Sequence, residues 1–338
     1  MSVIINEVKE LTSKIDFGQL KNKSILITGA SGLVGIYMVA CLKTICEQYN
    51  IKIYTWFKSE IEPEFVDIFD GCEIIKSDIT ESSNFNELPM FDCIVHAAGY
   101  GQPGKFLEDK IKTITLNTTS TINLFNKLNK GGKFLFISTS ELYSGLDSNN
   151  ISETQIGTTN TNHPRACYIE GKRCGETICY SYLGQGVNVK IVRLSLAYGP
   201  GTKKNDHRVL NSLIQKGLTE DSIKLMDSGD AIRTYCYITD VIEMFWNILL
   251  FGEQTIYNVG GRSVTTILEL AELIAINLDK EVILPHEIEE MSGNPKVVNI
   301  DLSTYMNEFK KNNFIPLKDG IKETIKWQKQ LYYDTSNV

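Results

Sequence analysis

Residues 23–35 read KSILITGASGLVG, and this stretch decides the fold. Its first part, residues 24–28, is a short apolar run of strand-forming residues, followed at once by a glycine-rich turn and a helical pattern over residues 36–45. The order of buried strand, glycine turn and helix is typical of a site that binds the diphosphate of a dinucleotide. An ordinary strand-to-helix turn is the alternative interpretation, because the spacing is G-x-x-G-x-x-G and not the commoner dinucleotide spacing.

Each glycine of this turn has a predicted task. Gly29 allows the sharp turn, Gly32 lets the backbone approach a phosphate, and Gly35 lets the helix lie close to the strand. We therefore expect the cofactor diphosphate to lie against the turn and the start of the helix. The residues predicted to contact it are Gly29, Ser31, Gly32, Leu33, Val34 and Gly35.

Length and charge bound the kind of protein. A chain of 338 residues favours one large domain or two fused ones. The net charge of −7 argues against nucleic acid or an anionic membrane surface as a partner. An anionic ligand therefore needs a local basic pocket.

Cysteine and histidine usage predicts no metal site. None of the eight cysteines forms a C-x-x-C pair, and the four histidines show no ligand spacing near them. Most of the cysteines lie within apolar patterns, which favours reduced core thiols in a cytoplasmic protein. Residues 3–15 read as an amphipathic helix and not as a signal peptide, and no apolar run is long enough to span a membrane.

Strand and helix patterns alternate from residue 24 to residue 194. This alternation predicts an α/β fold with a Rossmann-like, doubly wound parallel sheet. Strands are expected at 51–57, 73–76, 91–96, 133–138 and 187–194, helices at 113–130 and 168–183, and a loop at 144–165. The sequence Thr266-Ile267-Leu268-Glu269 predicts a capping box that opens a further helix.

Beyond Gly201 the pattern loosens into a smaller mixed α/β lobe. We expect residues 1–194 to form the NAD(P)-binding domain, with residues 234–260 returning to it. Residues 195–233 and 261–338 are expected to form the substrate lobe.

The second predicted strand bears on the choice of cofactor. A carboxylate about twenty residues past the glycines usually binds the 2′-hydroxyl of the adenosine ribose. That place falls near Thr55, with Lys58 and Ser59 just beyond, and no carboxylate stands there. NAD is the expected cofactor, and NADP stays possible because a neutral or basic end tolerates a 2′-phosphate.

Two other strand ends are expected to contact the cofactor. Asp78 and Ile79 follow the third strand, where Asp78 would accept a hydrogen bond from adenine or else serve as a turn or helix-cap residue. Ala97 and Ala98 follow the fourth strand, and their small side chains leave room for a ligand at the carboxyl edge.

The candidate catalytic residues follow the fifth strand and open the helix after the loop. Thr139, Ser140 and Glu141 are delivered to the carboxyl edge, where α/β enzymes place catalysts, although a simple Ser/Thr turn is the alternative. Tyr168 and Lys172 stand four residues apart and hence on one helix face. A free tyrosine is a poor base, and a neighbouring ammonium favours its phenolate. The alternative interpretation is a surface tyrosine that lies beside a lysine and has no catalytic role.

Taken together, these motifs resemble the extended short-chain dehydrogenase/reductase family, whose members modify nucleotide sugars. The resemblance runs from about Lys23 to Trp327. It implies NAD as cofactor, a nucleotide-diphosphate sugar as substrate, and Tyr168 as the base on the C4 hydroxyl. It also implies that Lys172 binds the nicotinamide ribose and that Thr139 hydrogen-bonds the sugar. By the same resemblance, Asn117 contacts substrate, and a homodimer forms through the helices that carry Asn117 and Tyr168.

Within that family, the strings PRACYIEGKR (residues 164–173) and STSELY (residues 138–143) look most like the UDP-glucuronate decarboxylase branch. In the related 4,6-dehydratases an Asp-Glu pair follows the threonine, whereas Ser140-Glu141 stands here, so Glu141 is available as a base but the acid is missing. The chain departs from the branch at Leu196, at Gly201 and around Lys296. Arg208 and Arg233 are the candidates for the substrate diphosphate, with structural ion pairing as the alternative.

The sequence therefore predicts an enzyme that oxidises C4 of a nucleotide sugar to a 4-keto intermediate. Decarboxylation is the first expectation, and 4-epimerisation, 4,6-dehydration and 4-ketoreduction stay open. A dinucleotide-binding regulator without turnover is the alternative from another class, disfavoured because the tyrosine–lysine pair is kept.

Overall fold

The computed structural model describes residues 2–146, 150–285 and 299–333. Its strands, in chain order, are β1 (Ser24–Thr28), β2 (Lys52–Phe57), β3 (Glu73–Lys76), β4 (Phe91–His96), β5 (Leu128–Thr139), β6 (Asn188–Leu194), β7 (Leu196–Tyr198), β8 (Ser222–Lys224), β9 (Ile232–Tyr237), β10 (Ile256–Val259), β11 (Ser263–Thr266) and β12 (Glu281–Ile283). Its α-helices are α1 (Ser2–Thr12), α2 (Leu33–Tyr49), α3 (Val66–Phe69), α4 (Pro103–Glu108), α5 (Lys110–Asn117), α6 (Thr119–Phe125), α7 (Ala166–Tyr182), α8 (Val209–Thr219), α9 (Ile238–Phe251), α10 (Ile267–Leu278), α11 (Ser303–Phe309) and α12 (Leu317–Tyr333).

Among the described residues, seven strands form one central sheet in the order β3-β2-β1-β4-β5-β6-β10. Each neighbouring pair in it runs parallel. The order reverses between β1 and β4, and a crevice opens at the carboxyl ends of the strands where such a reversal occurs. The predicted Rossmann-like, doubly wound sheet is confirmed.

Alternation along β1 divides the core between the two faces of the sheet. Ile25 and Ile27 belong to an apolar cluster with residues of α1, α2 and α9. Leu26 belongs to a second cluster with residues of α5, α6 and α7. Successive side chains of a strand point to opposite faces, so a continuous apolar run is what a sheet covered on both faces requires.

The predicted N-terminal helix is confirmed as α1. Its apolar side chains Ile4, Val8 and Leu11 are buried against the core. Between them, the Glu7 carboxylate accepts hydrogen bonds from the hydroxyls of Tyr37, at 2.5 Å, and Tyr237, at 2.6 Å. This helix is therefore part of the folded domain.

A smaller set of elements lies outside the central sheet. Strands β11, β9 and β7 form a three-stranded sheet, and β12 pairs with β8. The predicted capping box is confirmed at the start of α10, where the Glu269 backbone N–H donates to Thr266 Oγ1 at 3.1 Å and the Thr266 N–H donates to Glu269 Oε2 at 2.8 Å. Strand β10 lies at the edge of the central sheet beside β6. The division at residues 194, 234 and 260 stays a prediction.

One predicted element is wrong. The pattern over 113–130 suggested a single long helix, but the structure has α5 and α6 with a break at Thr118, whose φ of −113° and ψ of −81° leave the helical region. Residues 128–130 belong to β5, because Leu128 pairs with Phe91 of β4. Pairing with a distant strand thus overrides the local helical spacing.

The described helices were also compared with the dimensions of a lipid bilayer. Within residues 2–146, 150–285 and 299–333, no helix combines the length and the apolar character that a membrane span needs.

Candidate active site

The glycine turn has the geometry that its sequence predicts. Gly29 adopts a positive φ of 65°, and a Cβ on it would lie 2.6 Å from the Ala97 carbonyl oxygen. A Cβ on Gly35 would overlap the Gly29 carbonyl oxygen and lie 2.6 Å from Ala30 Cα. These two positions therefore accept only glycine without a shift of backbone. Gly32 differs, because the only atom near its added Cβ is the Gly29 carbonyl oxygen at 3.4 Å.

The start of α2 is open to an anion. Gly32 is the N-cap residue and has no side chain to cap the helix, and the first turn carries no acidic residue. The N–H groups that a helix leaves unpaired at its N-terminus, together with the helix dipole, attract a phosphate. Leu33 and Val34 lie in this first turn. The open approach at Gly32 and the uncapped helix fit the diphosphate of a dinucleotide cofactor.

Two lysines contact Asp78, which follows β3. Its Oδ2 atom accepts hydrogen bonds from Lys58 Nζ at 2.9 Å and Lys112 Nζ at 3.1 Å, and Oδ1 accepts from the backbone and hydroxyl of Thr80. Burial opposes ionisation, but the hydrogen bonds from Lys58 and Thr80 hold the pKa of Asp78 well below its usual range. The predicted turn role is thus observed, and an adenine contact would have to share an occupied carboxylate.

Hydrogen bonds tie other predicted cofactor residues to neighbouring elements. Ser31 Oγ lies 2.9 Å from Ser59 Oγ, at the end of β2. The Ile79 carbonyl accepts from Ser120 Oγ at 2.9 Å, and the Ala98 N–H donates to Thr28 Oγ1 at 3.1 Å.

Lys172 projects from α7 to the carboxyl edge of the sheet. Its Nζ donates to the Ile137 carbonyl oxygen of β5 at 2.6 Å. An added Cβ on Gly99 would lie 3.7 Å from Lys172 Nζ. Burial lowers the pKa of Lys172 to about 8, while the charge of Glu176 acts in the opposite direction. Lys172 is therefore fixed to β5, and its predicted contact with the nicotinamide ribose stays a prediction.

Tyr168 is buried one helical turn before Lys172, with 8% of its surface exposed. Its ring stacks on Phe106, with centroids 4.8 Å apart and planes inclined by 6°. Burial raises the pKa of Tyr168 above its usual range, and the Glu141 carboxylate raises it further. A hydrogen bond from the Thr139 side chain lowers this pKa, so Thr139 and Tyr168 are brought together as predicted.

One electrostatic expectation differs from the structure. The cations identified as lowering the pKa of Tyr168 are Arg165 and Arg208, whereas the ammonium of Lys172 is directed to the Ile137 carbonyl. The two residues share a helix face, but the sequence spacing did not show where the lysine chain ends. Activation of the phenol by Lys172 therefore stays a prediction.

Glu141 is held in a bidentate ion pair. Arg165 Nε donates to Glu141 Oε2 at 3.0 Å, and Arg165 Nη2 donates to Glu141 Oε1. The Glu141 backbone N–H donates to Thr139 Oγ1 at 3.2 Å in the 3₁₀ turn Ser140–Tyr143, where Ser140 is buried. Both oxygens of the Glu141 carboxylate are engaged by one edge of the guanidinium, so these bonds would have to break before Glu141 could accept a proton, which bears on its predicted role.

The two arginines predicted to bind the diphosphate are placed differently. Arg208 forms an ion pair with Asp206 at 2.6 Å and carries its charge toward Tyr168. Arg233 lies on β9, where burial lowers its pKa and the charge of Arg165 lowers it further. Arg165 and Arg208 both act on the pKa of Tyr168, and Arg165 acts on that of Arg233, so the three guanidiniums lie near one another and supply the local positive charge that an anionic ligand needs.

Asn117 stands apart from this group. It is buried at the end of α5, where Nδ2 donates to the Thr113 carbonyl at 2.8 Å and lies 3.5 Å from the Cβ position of Gly171 on α7. These contacts belong to helix packing, and its predicted substrate contact stays a prediction.

Sequence reasoning missed three residues of the site. Arg165 stands three residues before Tyr168, within the string PRACYIEGKR, but no role was assigned to it, and Phe106, which stacks on that tyrosine, carried no motif. Glu176 continues the face of Tyr168 and Lys172 by one more turn, and it forms a buried ion pair with Arg193 at 2.8 Å. The i, i+4, i+8 spacing on α7 was the signal available for Glu176.

Comparisons with known proteins agree with this geometry. The family model described as the NAD dependent epimerase/dehydratase family matches residues 25–260. The UDP-glucuronic acid decarboxylase 6 of Arabidopsis thaliana is 31% identical over 291 residues, which cover 81% of this chain and 78% of that protein. The UDP-glucuronic acid decarboxylase 1 of Xenopus tropicalis is 28% identical over 325 residues, which cover 93% of this chain and 74% of that protein.

A solved structure confirms the fold class. The crystal structure of the UDP-glucuronic acid 4-epimerase of Bacillus cereus, in complex with UDP-glucuronic acid and NAD, matches with a TM-score of 0.73 and 22% identity. The match covers 91% of this chain and 100% of that one. The predicted enzyme class and the predicted NAD cofactor are confirmed at the level of the family. This chain belongs to the NAD dependent epimerase/dehydratase family.

Proposed function

We propose that this enzyme oxidises C4 of UDP-glucuronate and releases C6 as CO2, as a lyase. The observation that carries this proposal is the Glu141–Arg165 ion pair beside Tyr168. Dehydration at C5 and C6 needs a free base and an acid, whereas loss of CO2 from a carboxylate β to a ketone needs neither at C5. A glutamate engaged by an arginine, next to Ser140 in place of an acid, supports decarboxylation over dehydration.

The side chains account for the movement of protons. Bound NAD would supply the acceptor for the C4 hydride and a positive charge at the carboxyl edge. Tyr168, as phenolate, takes the proton of the C4 hydroxyl, and Thr139 holds both oxygens in line. The C5–C6 bond of the 4-keto sugar then breaks, its electron pair forms the enolate across C4 and C5, and CO2 leaves. Water supplies the proton at C5, the hydride returns to C4, and Tyr168 returns its proton to the C4 oxygen, which completes a UDP-pentose.

The arginine pocket supports a nucleotide diphosphate as the anionic part of the substrate. Arg208 directly precedes α8 and Arg233 lies on β9, and both elements are outside the central sheet. Charge-assisted, bidentate hydrogen bonds suit an arginine to a diphosphate. We assign them to the substrate phosphates and keep Asn117 as a substrate contact of the same proposal.

The adenosine end supports acceptance of NADP beside NAD. Lys58 and Ser59 follow β2 where a ribose-binding carboxylate commonly stands, and Ser31 joins them across the turn. A 2′-phosphate would meet two hydroxyls and the Lys58 ammonium there, and it would share that ammonium with the Asp78 carboxylate.

We also propose a homodimer and a cytoplasmic location. Ile111 and Ile114 of α5 and Tyr180 of α7 are exposed by 73%, 39% and 44%, respectively, on helices that pack side by side. An exposed apolar surface of this kind favours an interface. All eight cysteines are free thiols, which suits a reducing compartment.

The test is incubation of the purified protein with UDP-, dTDP-, GDP- and CDP-sugars, followed by mass spectrometry of the products. The proposal expects UDP-glucuronate alone to lose the mass of CO2, and Tyr168→Phe to abolish the loss while still binding NAD. Loss of water from a hexose, or a C4 epimer of unchanged mass, would replace decarboxylation by dehydration or epimerisation.

A further inference from the structure

We propose that Arg165 selects sugars with a C6 carboxylate. In the free enzyme Glu141 pairs with the Arg165 guanidinium, and the substrate carboxylate displaces Glu141 when it binds. This inference rests on the proposed function, because it assumes that a C4 hydroxyl is presented to Tyr168. It assigns a specificity role to an ion pair that joins the two strings flanking the active site.

The first support is the position of the pair. Arg165 directly precedes α7, three residues before Tyr168, and Glu141 lies two residues after Thr139. The Arg165 guanidinium carbon lies 5.4 Å from the Phe106 ring centroid, and Tyr168 stacks on the same ring. Phe106 therefore fixes the guanidinium relative to the phenol. C6 of a hexuronate is attached to C5, the direct neighbour of C4, so a sugar held at Tyr168 presents its carboxylate close by.

The second support is the chemistry of the pair. Arg165 engages Glu141 through Nε and Nη2, which is the fork geometry that matches any carboxylate. The carboxylate of a hexuronate has the same charge and shape as that of Glu141. Exchange of one carboxylate for another keeps the charge pairing of the guanidinium, whereas removal of Glu141 without replacement takes a charged partner away from a partly buried cation.

The third support is the degree of exposure. The Arg165 side chain is 17% exposed and the Glu141 side chain 27%, so solvent reaches both members of the pair. A displaced Glu141 can thus turn toward water. The Arg193–Glu176 pair provides a contrast, because its side chains are both 5% exposed and its arginine also holds Tyr143 and the backbone of Glu153. The Arg193–Glu176 pair is therefore a buried structural ion pair, whereas the Glu141–Arg165 pair is exposed enough to meet a ligand.

The exchange predicts discrimination against neutral hexoses. A C6 hydroxyl carries no charge to replace Glu141, so UDP-glucose meets an intact ion pair. The glutamate nearest to its C5 proton is then engaged by Arg165 through both oxygens and has no oxygen free to accept that proton. The same contact therefore favours the uronate and suppresses dehydration of the hexose.

The experiment compares the binding of UDP-glucuronate, UDP-glucose and UDP by calorimetry, with the full chain saturated with NADH, which cannot accept a hydride and so prevents turnover. The wild type is expected to bind UDP-glucuronate about tenfold or more tighter than UDP-glucose, as one charge-assisted contact provides. Arg165→Met is expected to bring both sugars to the same affinity and to leave UDP unchanged. Arg165→Lys, which keeps the charge but loses the fork, should give an intermediate preference.

A second variant separates selection from mere structure. Glu141→Gln removes the competing charge while keeping the shape, so UDP-glucuronate should bind several-fold tighter and UDP should not. Thermal melts identify any variant that fails to fold, and Arg165→Lys then carries the comparison. If Arg165→Met binds UDP normally and still prefers UDP-glucuronate as strongly as the wild type does, the selecting role of Arg165 is refuted and the proposed function is not. Absence of binding of any UDP-sugar by the wild type overturns the proposed function as well.

Discussion

Gly32 and Gly35 stand three residues apart in the glycine turn and have different predicted roles, so they offer a sharp test of the cofactor site. An added methyl group at Gly35 would overlap the Gly29 carbonyl oxygen and lie 2.6 Å from Ala30 Cα, both of them backbone atoms. Overpacking of this kind costs about 1–3 kcal/mol, which corresponds to a fall in Tm of roughly 2–4 °C per kcal/mol for a large domain. Gly35→Ala is therefore expected to lower both Tm and NAD affinity.

Gly32→Ala is the matched control for the free protein. Its φ of −85° suits alanine, and the nearest atom to the added Cβ is 3.4 Å away. Loss of glycine at an N-cap costs at most about 1 kcal/mol, so Tm should change little. A methyl group at the diphosphate should nevertheless weaken NAD by about tenfold or more, the equivalent of one lost charge-assisted contact. Thermal melts and calorimetric titration with NAD separate the two effects. Wild-type NAD affinity in Gly32→Ala would refute the placement of the diphosphate at the turn.

Four further predictions follow from the site. Tyr168→Phe should reduce turnover by at least about a hundredfold while leaving the Kd for NAD nearly unchanged, and an active Phe variant would remove Tyr168 as the base. The pKa of Lys172 is lowered to about 8 from its usual 10.5, so the folded protein binds this proton less tightly than the unfolded chain, and this group's contribution to stability rises as pH increases from 8 to 10.5. Chemical denaturation should therefore show wild type gaining on Lys172→Met by on the order of 3 kcal/mol across that range, and a flat difference would contradict the burial of a charged lysine. Lys58→Ala should weaken NADP more than NAD in calorimetric titrations, and equal losses would argue against a 2′-phosphate site. Ile111→Asp should yield monomers in sedimentation analysis, whereas a retained dimer would place the interface elsewhere.

The parts of the fold that local chemistry controls could be predicted from the sequence. The β1–turn–α2 unit and the capping box at Thr266 depend on neighbouring residues, and both have the predicted geometry. The break at Thr118 could not be predicted in this way, because residues 128–130 leave the helical pattern to pair with a strand almost forty residues earlier in the chain. Local spacing is thus a reliable guide only where no distant strand competes for the backbone.

The same distinction applies to the site. Tyr168, Lys172 and Thr139 were identified from strand ends and helix spacing, and the structure brings Tyr168 and Thr139 into contact. The partners of charged residues were not predictable, because Glu141 meets Arg165 across 24 residues and Asp78 meets Lys112 across 34. Periodicity shows which face a side chain takes, but an ion pair depends on where two separate elements meet in space.

The central claim is that Tyr168 and the cofactor carry out a reversible oxidation at C4, and an isotopic label tests it most directly. Purified enzyme would be incubated with UDP-glucuronate carrying deuterium at C4, and the products would be analysed by mass spectrometry and NMR. The account predicts release of CO2 and a UDP-pentose that keeps the deuterium at C4, because the same hydride is returned to the carbon that lost it. Recovery of unchanged substrate, or of a decarboxylated product without deuterium at C4, would contradict it.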